Sequence, residues 1–116
     1  MTTLIVNYTE LRFTSEVEMT RYLSQTEEIW NEEVMAMLLE SGLQRKTVTQ
    51  IWNQSDQVKL GIVWKYESRD AFKTCQRIIA EEILSHAQRF GMVAKSFRGV
   101  PALHWRGESG GLRRSN

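Results

Sequence analysis

The sequence has few of the residues that mark disulfide scaffolds, metal sites or membrane proteins. Its 116 residues include one cysteine, one proline and two histidines. Cys75 has no partner for an internal disulfide, and no cysteines and histidines stand at metal-ligand spacing, so we expect no metal ion and no bound cofactor. The N-terminal residues carry neither a basic leader nor a long apolar run, which predicts a cytoplasmic protein without a signal peptide or membrane anchor.

A strong charge of either sign is also absent. The formal net charge is +1, which provides no general attraction for nucleic acid or anionic lipid. The charges are unevenly distributed, however. Residues 16–40 hold seven of the fourteen acidic residues, whereas the chain from Lys95 onward has five basic residues and one acidic residue. This pattern is typical of a solvated helix face followed by a basic tail.

The length and composition are those of one globular domain. A hydrophobic fraction of 41% with 25% charged residues is ordinary for a folded protein, and 116 residues support one core. We expect residues 1–106 to form this domain. Residues 107–116, rich in glycine, serine and arginine, predict a flexible C-terminal tail.

Hydrophobic periodicity predicts the order β-α-β-β-α-β. Strands are indicated by alternating apolar residues and helices by apolar residues spaced three and four apart. A bend is expected near residues 24–26 of the first helix, Gly42 and Gly91 are expected to end the two helices, and residues 102–106 are a candidate for a further extended piece. The predicted elements are a strand over 2–12, a helix over 16–41, a hairpin of strands 46–53 and 58–66, a helix from Ser68 or Asp70 to about Phe90, and a strand over 92–98.

This order predicts a ferredoxin-like α+β fold, with both helices on one face of a four-stranded antiparallel sheet. The face of the sheet opposite the helices should not be exposed to solvent, because both sets of alternating side chains in the hairpin include apolar residues, such as Trp64 and Val63. The simplest cover for so short a chain is a second copy, so the sequence predicts a homodimer.

The element order, the length and the two-sided sheet resemble the dimeric α+β-barrel superfamily over residues 2–105. That superfamily includes antibiotic-biosynthesis-type monooxygenases, EthD-like proteins and muconolactone-isomerase-like proteins. The resemblance implies pairing as a dimeric barrel and a pocket between each subunit's helices and sheet. RNA-recognition domains share the element order, but the run from Lys59 to Tyr66 lacks stacking aromatics at the required places.

Two residues are candidates for acid–base chemistry. His86 lies in the apolar stripe of the second helix and should face the sheet, where an imidazole could transfer a proton or bind a ligand carbonyl. Glu33 flanks the stripe of the first helix and could pair with His86. Each has a structural alternative: His86 as a core histidine, and Glu33 as a solvated side chain. His104 is expected to be exposed, and Cys75 to be a buried apolar residue.

Large apolar side chains are the candidates for binding a ligand. Tryptophan and tyrosine combine an apolar body with a polar group, which suits a pocket but equally suits a core or a dimer interface. The residues predicted to bind a ligand are Trp30, Trp64, Tyr66, Met37, Ile83 and His86.

Three functions remain open at the level of sequence. The first is a homodimer that binds a small hydrophobic organic molecule in the pocket. The second, implied by the resemblance, is a cofactor-free monooxygenase or isomerase, in which His86 or a nearby tyrosine takes a phenol proton. The third is a non-enzymatic module for protein interaction, favoured by the acidic first helix and the basic tail.

Overall fold

The structure is a computed structural model that describes residues 4–53, 56–108 and 111–115, with the side chains described up to Gly107. Parts of three predicted segments lie outside the described residues: the start of the first strand, two residues of the hairpin turn and part of the tail. The elements are β1 (Ile5–Phe13), α1 (Glu16–Ile29), α2 (Glu32–Glu40), β2 (Leu43–Gln50), β3 (Val58–Tyr66), α3 (Arg69–Glu82), α4 (Leu84–Ala87), β4 (Met92–Gly99), β5 (His104–Glu108) and β6 (Gly111–Ser115).

The predicted ferredoxin-like α+β fold is confirmed. β1 to β4 form an antiparallel sheet in the order β2-β3-β1-β4, so the first and third strands are central. Asn7 on β1 lies opposite Trp64 on β3, and Tyr8 lies opposite Phe97 on β4. These registers place the same face of each strand toward the helices.

The core lies between the helices and one face of the sheet. Along β1 and β3 the buried side chains stand at alternate positions, with Thr9 and Val58 half-buried in the same series, as the two-residue period of a strand requires. Because this face is covered, the alternation is clean on the central strands. The buried strand residues are Ile5, Asn7, Leu11, Phe13, Leu43, Leu60, Ile62, Trp64 and Tyr66; the helices contribute Met19, Tyr22, Ile29, Val34, Leu38, Ala71 and Cys75.

The first predicted helix is two helices. It was expected to run over 16–41 with a bend near 24–26, but the break lies later, at Trp30. Asn31 begins α2, because its side-chain oxygen accepts a hydrogen bond from the backbone N–H of Val34 at 2.9 Å, which satisfies one of the free donors of a helix start. Gly42 follows α2 with φ +108°, so the predicted glycine stop is confirmed.

The second predicted helix is also interrupted. α3 ends at Glu82, and a four-residue helix, α4, follows Ile83. Ile83 and Phe90 remain buried on the two sides of α4, but His86 between them is exposed. The expectation that His86 faces the sheet was wrong, because the apolar spacing does not continue through the interruption.

A second sheet forms beyond β4. β5 and β6 pair antiparallel, with Trp105 opposite Arg114. The sequence predicted an extended piece near 102–106, but the pairing partner over 111–115 lies where a flexible tail was expected. Glycine is a poor strand former, which is why the composition of this segment did not indicate β6.

In the described part of the chain, no helix is long and apolar enough to cross a bilayer.

Candidate functional site

A cavity of about 180 Å³ lies between the helix layer and the sheet. Its walls come from β1, β3 and β4 below and from α1, α3 and α4 above. It is open along the edge strand β4, where Ala94 and Ser96 are exposed. The residues that line this cleft cavity are Asn7, Thr9, Leu11, Tyr22, Trp30, Ile62, Trp64, Gln76, Ile79, Ile83, Leu84, Ala87, Met92, Ala94 and Ser96.

A row of polar side chains crosses the floor of the cleft cavity. Asn7 is 3% exposed, and its Nδ2 donates to Thr9 Oγ1 at 3.3 Å. Thr9 Oγ1 lies 3.1 Å from Ser96 Oγ on the neighbouring strand. Asn7 Oδ1, by contrast, is buried and accepts no hydrogen bond from any described residue. A buried acceptor without a donor is costly, so this oxygen is the least satisfied polar atom of the floor.

Two aromatic side chains join α1 to the wall of the cleft cavity. Trp30 Nε1 donates to the Tyr22 hydroxyl at 3.3 Å, and the Trp30 ring packs against Trp64 with centroids 5.3 Å apart. Burial raises the pKa of Tyr22 above its usual range, because the ionised phenolate is disfavoured away from water. Tyr22 is therefore a neutral hydroxyl at physiological pH and not a base.

Tyr66 lies next to Trp64, with the two rings almost parallel and 6.3 Å apart. Burial raises its pKa, and its hydroxyl makes no hydrogen bond within the described residues. An interaction with Gln76 opposes the shift, although the two side chains do not reach hydrogen-bonding geometry. Tyr66 therefore belongs to the core beside the cavity, since it is fully buried and is absent from the lining.

Lys46 lies outside the cleft cavity, beyond the Trp30–Trp64 pair. Its Nζ is 3.3 Å from the centroid of the Trp30 ring and 4.8 Å from that of Trp64. Among the described residues no carboxylate forms an ion pair with it. Desolvation by burial lowers its pKa to about 7, which makes it the most strongly perturbed amine of the described chain.

The structure brings together half of the predicted ligand-binding residues. Trp30, Trp64 and Ile83 line the cleft cavity. Tyr66 and Met37 instead pack in or against the core, and His86 is exposed on α4.

The two predicted acid–base residues do not form a pair. Glu33 is exposed in the first turn of α2 and lines a different, open groove with Glu27 and Glu32. His86 is exposed on α4 and does not line that groove. Cys75 is buried as expected, and His104 is partly rather than fully exposed. Among the described residues, no group of three potential metal ligands is found.

The polar floor was missed by the sequence reasoning. The signal was present in the alternation of β1, where Ile5, Asn7, Thr9 and Leu11 share one face. Two polar residues on the buried face of a central strand are unusual, because such a face is normally apolar. Which face is buried, however, could not be decided from β1 alone.

The sheet face opposite the helices carries exposed apolar side chains. Tyr8 and Phe97 are cross-strand partners and remain 54% and 56% exposed. Val93 is also exposed and Val63 is half-buried. A hydrogen-bonded ion pair between Glu10 and Lys59, with 2.6 Å between Oε1 and Nζ, lies beside them and lowers the pKa of Glu10. We call this the open face.

Comparisons with known proteins agree with the fold. A family model described as "Domain of unknown function (DUF6974)" matches residues 2–100. A dimeric ferredoxin-like protein from an uncultured marine organism is 29% identical, covers 86% of this chain and 95% of its own, and has a TM-score of 0.79. A second such protein is 14% identical, with coverages of 88% and 98% and a TM-score of 0.78.

The cofactor-independent oxygenase SnoaB from Streptomyces nogalater shares the fold at 12% identity and a TM-score of 0.55, with 85% of this chain and 93% of that chain covered. The predicted likeness to the dimeric α+β-barrel proteins is thus confirmed for the fold. No curated protein matches the sequence.

Proposed function

Because the chain belongs to the DUF6974 family, whose description assigns no activity, we propose from the cleft cavity that it binds a small, largely apolar organic molecule. The observation that carries the proposal is a cavity of about 180 Å³ whose lining is mainly aromatic and aliphatic above a polar floor. A purely apolar cavity of about 150 Å³ holds a benzene ring in another protein. The ligand class is therefore a single-ring aromatic compound or an aliphatic one of similar size.

The chemistry of the lining favours binding over acid–base catalysis. No aspartate, glutamate, histidine, lysine or arginine is among the described residues that line the cleft cavity. Tyr22 is the one ionisable group in that lining, and its raised pKa keeps it protonated. A general base should titrate near the working pH, and this lining does not supply one.

Toluene tests the proposal directly. We expect it to shift the indole N–H resonances of Trp30 and Trp64 in the NMR spectrum, because both rings form the cavity wall. Ala87→Leu should weaken this binding by roughly tenfold, because a leucine at this lining position takes up ligand volume. Ala80→Leu, on the exposed side of α3, is the matched control and should bind as wild type. Equal affinity in all three proteins would rule out this cavity as the site.

A cofactor-free monooxygenase or isomerase is the second candidate, supported by the fold shared with a cofactor-independent oxygenase and by the aromatic wall of the cavity. An electron-rich phenol that reacts with dioxygen by itself needs little from the protein beyond orientation. We expect no protein-dependent dioxygen uptake with hydroquinone. Uptake that is lost in Ala87→Leu would favour the oxygenase, whereas uptake unchanged in that variant would place the reaction elsewhere.

A homodimer paired through the open face completes the proposal. Two structurally similar proteins are described as dimeric, and the open face carries the apolar side chains that such pairing would cover. Exposed aromatic pairs of this kind are typical of interface centres. The groove beside Glu33, lined also by Glu27 and Glu32, is acidic and supports interaction with a protein less directly.

A further inference from the structure

We propose that the ligand of the cleft cavity carries a hydrogen-bond donor, a hydroxyl or an N–H, which it places against Asn7 Oδ1. The inference rests on the proposed function and specifies its ligand class: a small aromatic or aliphatic alcohol, phenol or amine rather than a pure hydrocarbon, ether or ketone.

The unpartnered oxygen is the first step of the argument. Asn7 is on the central strand β1 and is 3% exposed, and its side chain lines the cavity. Its Oδ1 receives no hydrogen bond from the described residues. A buried amide oxygen without a donor costs free energy that a ligand donor would recover.

The neighbouring hydroxyls engage the nitrogen end of the Asn7 amide. Asn7 Nδ2 donates to Thr9 Oγ1, so the Thr9 hydroxyl hydrogen is free to donate to Ser96 Oγ at 3.1 Å. One N–H of the amide is thereby bonded, and the amide oxygen is left as an acceptor without a partner. At the other end, Ser96 is exposed and can donate to solvent or to a second polar group of the ligand.

The apolar part of the lining explains why one hydrogen-bond donor on the ligand is enough to orient it. Trp64, opposite Asn7 in the sheet register, and Ile83, from the helix layer above, surround the polar floor with apolar surface. In such surroundings a single hydrogen bond orients a ligand and distinguishes it from an analogue that lacks the group. A water molecule could satisfy the same oxygen, but it would create no preference among ligands.

The test compares two probes of nearly the same shape, p-cresol and 4-fluorotoluene, of which only p-cresol donates a hydrogen bond. Dissociation constants are measured by calorimetry for wild type, Asn7→Leu and Asn53→Leu. Asn7→Leu removes the acceptor and leaves Thr9 and Ser96 paired with each other, and Asn53 is an exposed asparagine that controls for the substitution.

We expect the preference for p-cresol over 4-fluorotoluene to fall roughly three- to tenfold in Asn7→Leu, the range for one hydrogen bond, and to remain unchanged in Asn53→Leu. Thr9→Val is a second variant, which keeps Asn7 but lets its amide rotate. Thr9→Val should also lower the preference for p-cresol, and it replaces Asn7→Leu in the test if that variant does not fold.

The outcomes separate the two proposals. An unchanged preference in Asn7→Leu and Thr9→Val, with both probes bound, would overturn the donor requirement while the apolar site stands. Failure of wild type to bind either probe would overturn both proposals.

Discussion

At the scale of single residues, Lys46 shows two opposing effects on one amine. Its ammonium group faces the rings of Trp30 and Trp64, and aromatic faces favour the charged form. Burial favours the neutral form and lowers the pKa to about 7. The folded protein therefore holds a half-protonated lysine near neutral pH.

This lysine should make stability depend on pH. In the unfolded chain the Lys46 pKa returns to about 10.4, so the unfolded state binds more protons than the folded state between pH 7 and pH 10.4. The free energy of unfolding must then rise with pH across this window, and the stability is lost as the pH falls toward 7. Lys46→Met removes this dependence.

From pH 7 to pH 10 we expect the unfolding free energy of wild type to rise by roughly 1–3 kcal/mol more than that of Lys46→Met. Urea unfolding at several pH values measures it. Lys65→Met, on the open face of β3, controls for the loss of one positive charge. Parallel pH profiles for wild type and Lys46→Met would contradict the burial of this amine.

The same scale shows why the candidate site was only half predictable. Trp30, Trp64 and Ile83 could be identified because large apolar side chains in periodic stripes point to the interior. Asn7 could not, because a polar residue on a strand is normally taken for a surface residue. His86 was misplaced for the opposite reason: its spacing fitted the stripe, but the helix is interrupted before it.

At the scale of secondary-structure elements, the connection after α2 has the tightest geometry. Gly42 has φ +108°, and a β-carbon at this position would lie 2.5 Å from the Cβ of Ala71 on α3. The glycine thus permits both the left-handed turn and the close approach of the chain to α3. The backbone carbonyl of Gly42 also accepts a hydrogen bond from the N–H of Glu67 at 3.0 Å.

Gly42→Ala should destabilise the fold by roughly 2 kcal/mol or more, because it adds backbone strain and a steric overlap at once. Thermal unfolding followed by circular dichroism measures the effect. Gly99→Ala is the matched control, since a β-carbon there has no neighbour within 4 Å among the described residues, and its melting temperature should stay within a degree or two of wild type. Equal melting temperatures for both variants would contradict the close contact.

Sequence periodicity predicted the type and order of the elements better than their ends. The pattern predicted β1, β3 and β4 correctly, because strands depend on the local alternation of side chains. It also predicted the glycine that follows α2, because that turn depends on the backbone freedom of one residue. The breaks at Trp30 and Ile83 were not predicted, because apolar residues continue on both sides of each break. The pairing of β5 with β6 depends on contacts that local propensity does not encode.

At the scale of the whole molecule, the two faces of the sheet differ in what lies against them. One face is covered by helices and contains the cleft cavity. The open face lies opposite the helices and presents Tyr8, Phe97 and Val93 to solvent. Pairing two such faces would bury these side chains and enclose the Glu10–Lys59 ion pair, whose hydrogen bond lowers the pKa of Glu10. The cleft cavity lies on the other side of the sheet, so pairing leaves it accessible.

Phe97→Asp should therefore convert the proposed homodimer into a monomer. It places a charge on the edge strand β4 of the open face, opposite Tyr8 on the central strand β1, where burial without a partner is strongly unfavourable. Sedimentation at micromolar concentration should give about 27 kDa for wild type, which is twice the 13.5 kDa chain, and 13.5 kDa for the variant. Leu39→Asp, an exposed apolar position on α2, is the control and should remain dimeric. If Leu39→Asp dissociates and Phe97→Asp does not, the chains pair through the helix layer, and a monomeric wild type would remove the dimer altogether.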